Sequence, residues 1–317
     1  MRKVFLLGLA FVFFSAGVLG ALQIWAPATW PELRTQLSAL GPLKILGIAF
    51  LLSLMYLADA WRYRLLVGFV SRPLSWGDAL FASAINLFFA WSTPGAVVAA
   101  PATAFFMAKR GVPTSVSLLA AFGKSLTGTA LLTLAALLAL PFTGQGQNYS
   151  AGLVYGPATG LLLVSFFLCL PLLAIFYPQK FVFARASARW QLTWNETLAK
   201  LSELCGHEPL RRLALMLLSH ALYFAVLVLI VALLVPPEGV FSGWKIVPWG
   251  LLFLALLYLS PTPGGVGILE GAAALLWSSF MPVEAALGLM VLLRLALVYL
   301  PLLVGALALF LAGGWRR

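Results

Sequence analysis

Three ionisable residues lie inside long apolar stretches of the sequence: Lys124, Glu270 and Arg294. A charged side chain at the centre of a bilayer costs about 2.5–3.5 kcal/mol on insertion scales, so it must face protein, water or a binding partner. Two roles are open. Lys124 and Arg294 could bind an anionic headgroup while Glu270 binds a cationic group or a proton. Alternatively, a Glu270–Arg294 ion pair could lock two helices together.

Two apolar stretches are interrupted by proline and glycine. The first break contains Thr93-Pro94-Gly95, and the second runs from Thr262 through Pro263, Gly264 and Gly265 to Gly267. Because proline lacks a backbone donor and glycine relaxes φ, a helix must break at both places. Free N–H groups at the start of a half-helix form a ready site for phosphate or carboxylate.

These considerations predict one substrate-binding site at membrane depth. Its residues are Asn86, Thr93, Pro94, Gly95, Lys124, Thr262, Pro263, Gly264, Gly265, Gly267, Glu270 and Arg294.

Several signatures of enzymatic chemistry are missing. The sequence contains no Walker-type phosphate loop, no HExxH and no GxSxG within a soluble domain. Cys205 and His207 are too few for a zinc site. We therefore expect no enzymatic activity, no catalytic residue, no metal ligand and no cofactor. Asp59 and Arg62 are interpreted as an interfacial pair near a helix end, Asp78 as a helix cap, and His220 as a packed, hydrogen-bonded histidine.

Composition sets the class of protein that must position these residues. Of 317 residues, 62% are hydrophobic and 9% are charged, and the mean hydropathy is +1.02. Soluble domains carry about 25% charged residues, so a soluble enzyme, a DNA-binding module and a disordered chain are excluded. The net charge of +11 comes from short basic clusters between apolar runs, as the positive-inside rule produces, so no nucleic-acid partner is expected.

The predicted fold is an all-α integral membrane domain covering residues 1–317. Six spanning helices are predicted, at about 4–25, 44–61, 114–140, 153–177, 213–235 and 283–312. The broken stretches 78–108 and 247–280 are predicted to be re-entrant helical hairpins, because broken backbone at membrane depth must be covered by protein or line a cavity.

The basic residues support this topology. Arg34, Lys44 and Lys245 then lie outside, Lys124 and Arg294 lie at membrane depth, and the remaining fifteen of the 20 basic residues are cytoplasmic. A multi-pass protein of the cell (inner or plasma) membrane is predicted, with both termini in the cytoplasm. Residues 178–212 are predicted to form a cytoplasmic amphipathic connector, either on anionic lipid or as a solvated helix.

An internal repeat relates the two broken stretches. An offset of 169 residues places Gly95 on Gly264, Val97 on Val266 and Pro113 on Pro282. The repeat units are 78–140 and 247–312, and the predicted topology gives them opposite orientations. Inverted repeats with broken helices that meet near the midplane are typical of transporters.

The segment from Pro263 to Glu270, followed by Arg294 and Pro301, resembles the transmembrane flippase-like region of lysylphosphatidylglycerol synthases and their stand-alone relatives. The resemblance implies translocation of a polar lipid between leaflets, an aminoacylated phospholipid in synthase-linked members and other lipids, including hopanoid-associated ones, in stand-alone members. No soluble aminoacyl-transfer domain is expected after Arg317, so lysyl transfer is not implied. The region Ala96–Ala108 lacks the glycine–acidic pair and the arginine usual in the family.

The sequence thus predicts a lipid flippase or transporter whose partner is an anionic or aminoacylated phospholipid, or another polar lipid. Two alternatives remain: a non-transporting lipid-binding subunit that supports a lipid-modifying enzyme, and an ion-coupled small-solute carrier. A homo-oligomer is left open.

Overall fold

A computed structural model describes residues 29–96, 98–143, 188–206, 208–235, 243–277 and 281–314. This part of the chain is helical and contains no strand. Its helices are α1 (Thr29–Ser38), α2 (Pro42–Gly68), α3 (Trp76–Ser92), α4 (Ala99–Lys109), α5 (Thr114–Thr143), α6 (Ala188–Gly206), α7 (Pro209–Leu234), α8 (Ile246–Leu259), α9 (Ile268–Leu276), α10 (Val283–Arg294) and α11 (Leu300–Gly314). Helices α10 and α11 are joined by a π-helical turn, Leu295–Tyr299.

Within the described ranges, four helical segments are long and apolar enough to cross a membrane: Pro42–Gly68, Thr114–Phe142, Pro209–Leu234 and Val283–Leu311. They coincide with the predicted spans 44–61, 114–140, 213–235 and 283–312. The predicted spans 4–25 and 153–177 lie outside the described residues. The all-helical membrane class is therefore confirmed.

Local sequence explains where the helices begin. Helix α2 has a proline near its first position, where the missing N–H leaves no bond unmade. Helix α3 begins with Ser75 as its N-cap: the Asp78 N–H donates to Ser75 Oγ (3.1 Å), and the Ser75 hydroxyl donates to Asp78 Oδ2 (2.7 Å). Ser75 is therefore the cap residue, and Asp78, which we had interpreted as the cap, is its partner three residues later.

Both predicted breaks are present, and their backbones are alike. Thr93 and Thr262 are extended, and the following Pro-Gly pairs form short 3₁₀ turns, Pro94–Ala96 and Pro263–Gly265. Gly95 has φ 57° and ψ 20°, and Gly264 has φ 55° and ψ 20°. This left-handed conformation favours glycine, so the repeated Thr-Pro-Gly sequence encodes one repeated turn.

The ends of the helices fall into two groups. Arg110 Nε, just after α4, lies 3.3 Å from Asp78 Oδ1, in the first turn of α3. The start of α3 and the end of α4 therefore lie side by side. Elsewhere, the rings of Phe142, near the end of α5, and Trp244, just before α8, have centroids 6.4 Å apart. The first residues of α8 therefore lie beside the last residues of α5. The start of α3 and the end of α4 lie beside the first residues of α5.

Close packing joins the last helix to the first broken stretch. A Cβ atom on Gly305 of α11 would lie 2.6 Å from the carbonyl oxygen of Ala84 and 2.5 Å from Phe88 Cβ, both in α3. Only glycine allows this approach. The 3₁₀ turn Pro94–Ala96 also contacts the turn Pro263–Gly265, so the two breaks meet inside the molecule.

The connector is partly described. Residues 188–206 form α6, which packs against α5, whereas residues 178–187 lie outside the described ranges. Leu192 is 64% exposed. Whether this exposed apolar surface lies on lipid stays a prediction.

Candidate functional site

The structure places a group of buried polar side chains between α2, α3 and α5, here named the Asp59 centre. It consists of Asp59, Arg62, Ser83, Asn86 and Lys124, which are all at most 6% exposed. The Lys124 Nζ atom lies 3.0 Å from both carboxylate oxygens of Asp59, and Ser83 Oγ donates to Asp59 Oδ2 at 2.6 Å. Arg62 forms an ion pair with the same carboxylate. One carboxylate therefore serves two cations.

The charge of the Asp59 centre is not balanced. Arg62 and Lys124 contribute two positive charges and Asp59 one negative charge, which leaves one excess positive charge in a buried place. Lys124 also donates to Asn86 Oδ1 at 3.0 Å. Within the described ranges, the Nε atom of Arg62 and the Nδ2 atom of Asn86 are buried and have no hydrogen-bond partner. Buried donors of this kind are costly unless an acceptor is supplied.

Aromatic rings surround the two cations. The Arg62 guanidinium carbon lies 3.8 Å from the centre of the Tyr223 ring, and Lys124 Nζ lies 4.1 Å from the centre of the Tyr63 ring. Both distances suit cation–π attraction. The hydroxyl of Tyr223 is hydrogen-bonded to the hydroxyl of Tyr258, which lies near the end of α8 just before the second break. A cation–π contact followed by one hydrogen bond thus leads from the Asp59 centre toward that break.

His220 packs against the other side of Lys124. Its Nδ1 atom is 2.8 Å from the carbonyl oxygen of Met216, and its Nε2 atom is 3.3 Å from both the carbonyl oxygen of Lys124 and the hydroxyl of Thr127. Gly128 makes room for this ring, because a Cβ there would lie 3.1 Å from His220 Cδ2. The packed, hydrogen-bonded histidine expected from the sequence is present.

A second buried charge site, here named the Glu270 pair, joins α9 to α10. Arg294 Nη1 lies 2.5 Å from Glu270 Oε1, and Arg294 Nη2 donates to Oε2 at 3.0 Å. The two residues are 6% and 2% exposed. Glu270 Oε2 also accepts the N–H of Gly267 at 2.7 Å, so the carboxylate caps the start of α9. The pair links the second break to the last long helix.

The predicted site residues fall into three groups. Lys124 and Asn86 belong to the Asp59 centre, whereas Glu270, Arg294 and Gly267 belong to the Glu270 pair. The remaining residues form the two turns that meet: Thr93, Pro94, Gly95, Thr262, Pro263, Gly264 and Gly265. Lys124 and Arg294, which we expected to act on one headgroup, each pair with a different carboxylate.

The threonines of the two turns are arranged differently. Thr93 is 2% exposed, and its hydroxyl donates to the carbonyl oxygen of Phe89. Thr262 is half-buried, and its hydroxyl lies 2.9 Å from Ser260 Oγ. The Thr262 hydroxyl is therefore the more accessible of the two to a ligand at the meeting point.

The interpretation of Asp59 and Arg62 is confirmed in one part and wrong in another. They form the expected ion pair, but they are 0% and 4% exposed and lie inside the protein, away from the helix end. Helix α2 continues to Gly68, beyond the predicted end at residue 61, which places Asp59 nine residues (59 to 68) or about 13 Å from the helix end. The signal that could have revealed this is an acid and a base three residues apart inside an apolar stretch. Ser83 carried no such signal.

No group of three or more histidine, cysteine, aspartate or glutamate residues that could hold a metal ion occurs in the described ranges. The polar groups found there suit electrostatic binding of a charged ligand.

The comparison with protein families gives a match along nearly the whole chain. Residues 5–305 match the family described as the lysylphosphatidylglycerol synthase TM region. The chain belongs to this family. No curated protein matches it. As a member of the lysylphosphatidylglycerol synthase TM family, the protein is a membrane protein with a lipid-related role, and the resemblance seen in residues 263–301 is confirmed.

Proposed function

We propose that this protein moves a polar lipid, anionic or aminoacylated, between the leaflets of the cell membrane. The headgroup would bind where the two broken stretches meet, while the acyl chains stay in lipid. The observation that carries this proposal is the excess positive charge of the buried Asp59 centre. Its unpartnered Arg62 and Asn86 donors would bind the phosphate of a headgroup.

Electrostatics favours an anion over a neutral solute. An unbalanced buried charge is expensive in a medium of low dielectric constant, and its cost is reduced by a counter-charge within hydrogen-bond reach. A guanidinium and an amide N–H provide directional donors, which suit phosphate oxygens. A phosphate carrying one negative charge would neutralise the excess charge of Arg62 and Lys124 over Asp59.

The Glu270 pair favours a headgroup that carries both signs of charge. In the structure Glu270 and Arg294 form an ion pair with each other. Once its phosphate has left Arg62 and Asn86, an aminoacylated phospholipid would offer an amine for Glu270 and that phosphate for Arg294, and could therefore replace both halves of the pair together. The alternative role, a fixed lock between α9 and α10, does not require a ligand.

The lengths of the half-helices support re-entrant hairpins. Helices α3, α4, α8 and α9 have 17, 11, 14 and 9 residues, or about 25, 16, 21 and 13 Å at 1.5 Å per residue. Each is shorter than the hydrocarbon core of about 30 Å. Because the start of α3 and the end of α4 lie side by side, the first broken stretch enters and leaves the membrane on the same side. We propose that the second broken stretch enters and leaves on the opposite side.

We propose transport rather than catalysis. The buried charged side chains among the described residues are engaged in ion pairs, and the family relationship concerns lipids. The protein as a single polytopic domain would carry two inverted units, 78–140 and 247–312, that rearrange around the headgroup. Both termini are proposed to lie in the cytoplasm.

The test is lipid translocation in sealed vesicles that contain only this protein. A fluorescent phosphatidylglycerol in the inner leaflet should become accessible to an aqueous quencher faster than in protein-free vesicles. Arg72→Gln, at an exposed loop position, should transport as the wild type does. Binding of lipid without any acceleration would instead support the non-transporting subunit, and uptake of a small solute without headgroup preference would support a carrier.

A further inference from the structure

A groove lies at one end of the molecule, between the end of α2 and the start of α7. It has a volume of about 400 Å³ and adjoins a second depression of about 220 Å³. Both are bounded by Gly68, Phe69, Arg211 and Leu215. Volumes of this size are typical of sites for small molecules.

The lining of the groove combines cations with aromatic rings. Arg64 lies in the groove with Trp61 and Trp76, and its guanidinium carbon is 4.6 Å from the centre of the Trp76 ring. Arg64 donates to the carbonyl oxygen of Leu74. Among the described residues it forms no ion pair, so its charge is free to attract an anion. Tryptophan and arginine together are typical of the headgroup level of a membrane.

The opposite wall is also basic. Arg211 and Arg212 lie at the start of α7, and Glu208 is the one acidic residue among the described residues that line the two depressions. The charges of Arg64, Arg211, Arg212 and Glu208 add to +2. Glu208 neutralises part of the charge of Arg211, since their side chains are 2.6 Å apart, but this pair is 72% and 63% exposed. Solvent-exposed pairs of this kind exchange partners at little cost.

The two walls of the groove are continuous with the Asp59 centre. Along α2, Arg64 follows Asp59 by five residues, and along α7, Leu215 precedes His220 by five residues. Five residues of helix cover about 7.5 Å. The same two helices meet deeper in the molecule, where Arg62 stacks on Tyr223. A headgroup in the groove would therefore lie about one and a half helical turns from the buried cations.

We propose that this groove is the docking site for the headgroup of an anionic phospholipid before it enters the protein, on the side predicted to be cytoplasmic. This inference rests on the proposed function, because it assigns the place from which the transported lipid reaches the buried site. Charge complementarity selects an anionic lipid. The phosphate would bind Arg64 and Arg211, and the glycerol region would lie against Trp61 and Trp76.

The experiment uses the full chain in nanodiscs of phosphatidylcholine with a minor fraction of a photoreactive phosphatidylglycerol. After irradiation, labelled peptides are mapped. We expect labelling in 61–76 and 209–215 that unlabelled phosphatidylglycerol suppresses and added phosphatidylcholine does not. Arg64→Gln should lower this specific labelling about tenfold, as expected for the loss of a charge-assisted contact. The matched control Arg72→Gln removes one charge nearby, outside the groove, and should leave it unchanged.

Two further variants keep the result interpretable. Arg211→Gln changes an exposed residue with little effect on folding and should also lower the labelling, whereas Leu215→Trp fills the groove without changing charge. Equal suppression by both lipids, or unchanged labelling in Arg64→Gln and Arg211→Gln, would overturn the proposal. Cross-links between two protein chains at the groove, if they are lost in Leu215→Trp, would also overturn the proposal, because the groove would then be occupied by a second copy of the chain. Specific labelling in a wild-type protein that does not transport lipid would overturn the proposed function, but it would still support the groove as a docking site for the headgroup.

Discussion

At the scale of single residues, the Asp59 carboxylate stabilises the buried polar cluster between α2, α3 and α5. It holds Lys124 at 3.0 Å, pairs with Arg62 and accepts the hydroxyl of Ser83. Each of these partners comes from a different place in the chain, so this carboxylate connects α2, α3 and α5. Removal of its negative charge leaves two buried positive charges without compensation.

Asp59→Asn should therefore destabilise the protein by about 3–5 kcal/mol, since both Arg62 and Lys124 lose their counter-charge. Asp78→Asn is the matched control, because the Asp78–Arg110 pair is half-exposed and should contribute about 1 kcal/mol or less. Thermal unfolding in detergent, followed by tryptophan fluorescence, measures both. An Asp59→Asn protein that unfolds at the wild-type temperature would contradict the role assigned to this carboxylate.

The sequence predicted the charged residues at membrane depth but not how they pair. The apolar surroundings of Lys124, Glu270 and Arg294 already indicated that each needs a partner. The Glu270–Arg294 pair could be proposed as one of two roles, because a break and a following helix bring them near each other. The pairing of Lys124 with Asp59 joins positions 65 residues apart and depends on the contact of α2 with α5, which hydropathy does not determine.

At the scale of secondary structure, the breaks were predictable because their cause is local. Thr-Pro-Gly occurs in both, and both turns place glycine near φ 56°. The end of α2 was not predictable from charge alone. The helix continues past Arg62 because that residue finds a buried carboxylate within its own helix, and an arginine normally marks the end of a span.

Gly305 provides a test of how α11 packs on α3. Gly305→Ala would place a methyl group 2.5 Å from Phe88 Cβ and 2.6 Å from a backbone oxygen, so the helices must separate. We expect a destabilisation of about 1–3 kcal/mol, as for other overpacked sites. Gly123→Ala meets nothing within 4 Å and should be neutral or stabilising by up to about 1 kcal/mol. Equal melting temperatures for the two variants would contradict the close approach of α11 to α3.

At the scale of the whole molecule, the two groups of helix ends agree with the distribution of basic residues. Asp78 and Arg110 lie together at the end predicted to be cytoplasmic. Trp244 lies beside Phe142 at the other end, predicted to be outside. Packing and charge are independent sources of information, and both favour broken stretches that open in opposite directions.

Single cysteines introduced at exposed positions test this topology. In a chain with Cys169 and Cys205 replaced by serine, Arg72→Cys should react with an impermeant maleimide only after the membrane is opened. Lys245→Cys should react in intact cells. Both native side chains are exposed at the surface of the molecule. Reaction of both cysteines from the same side would contradict the opposed orientation of the two repeat units.

The central claim is movement of a polar lipid, and it requires that the Glu270 pair acts on the headgroup after the Asp59 centre and is more than a lock between helices. The decisive measurement is lipid translocation by the double variant Glu270→Gln/Arg294→Gln beside each single variant, with thermal stability measured on the same samples. Each single variant leaves one buried charge unpaired and should lose both transport and about 3–5 kcal/mol of stability.

The double variant removes both charges together and should recover most of the lost stability, since neither amide leaves a buried charge. If the pair binds the headgroup, this stable protein still fails to move aminoacylated phosphatidylglycerol, while Glu284→Gln, in the first turn of α10, transports at the wild-type rate. Translocation at the wild-type rate by the stable double variant would contradict the account and assign the pair a structural role alone.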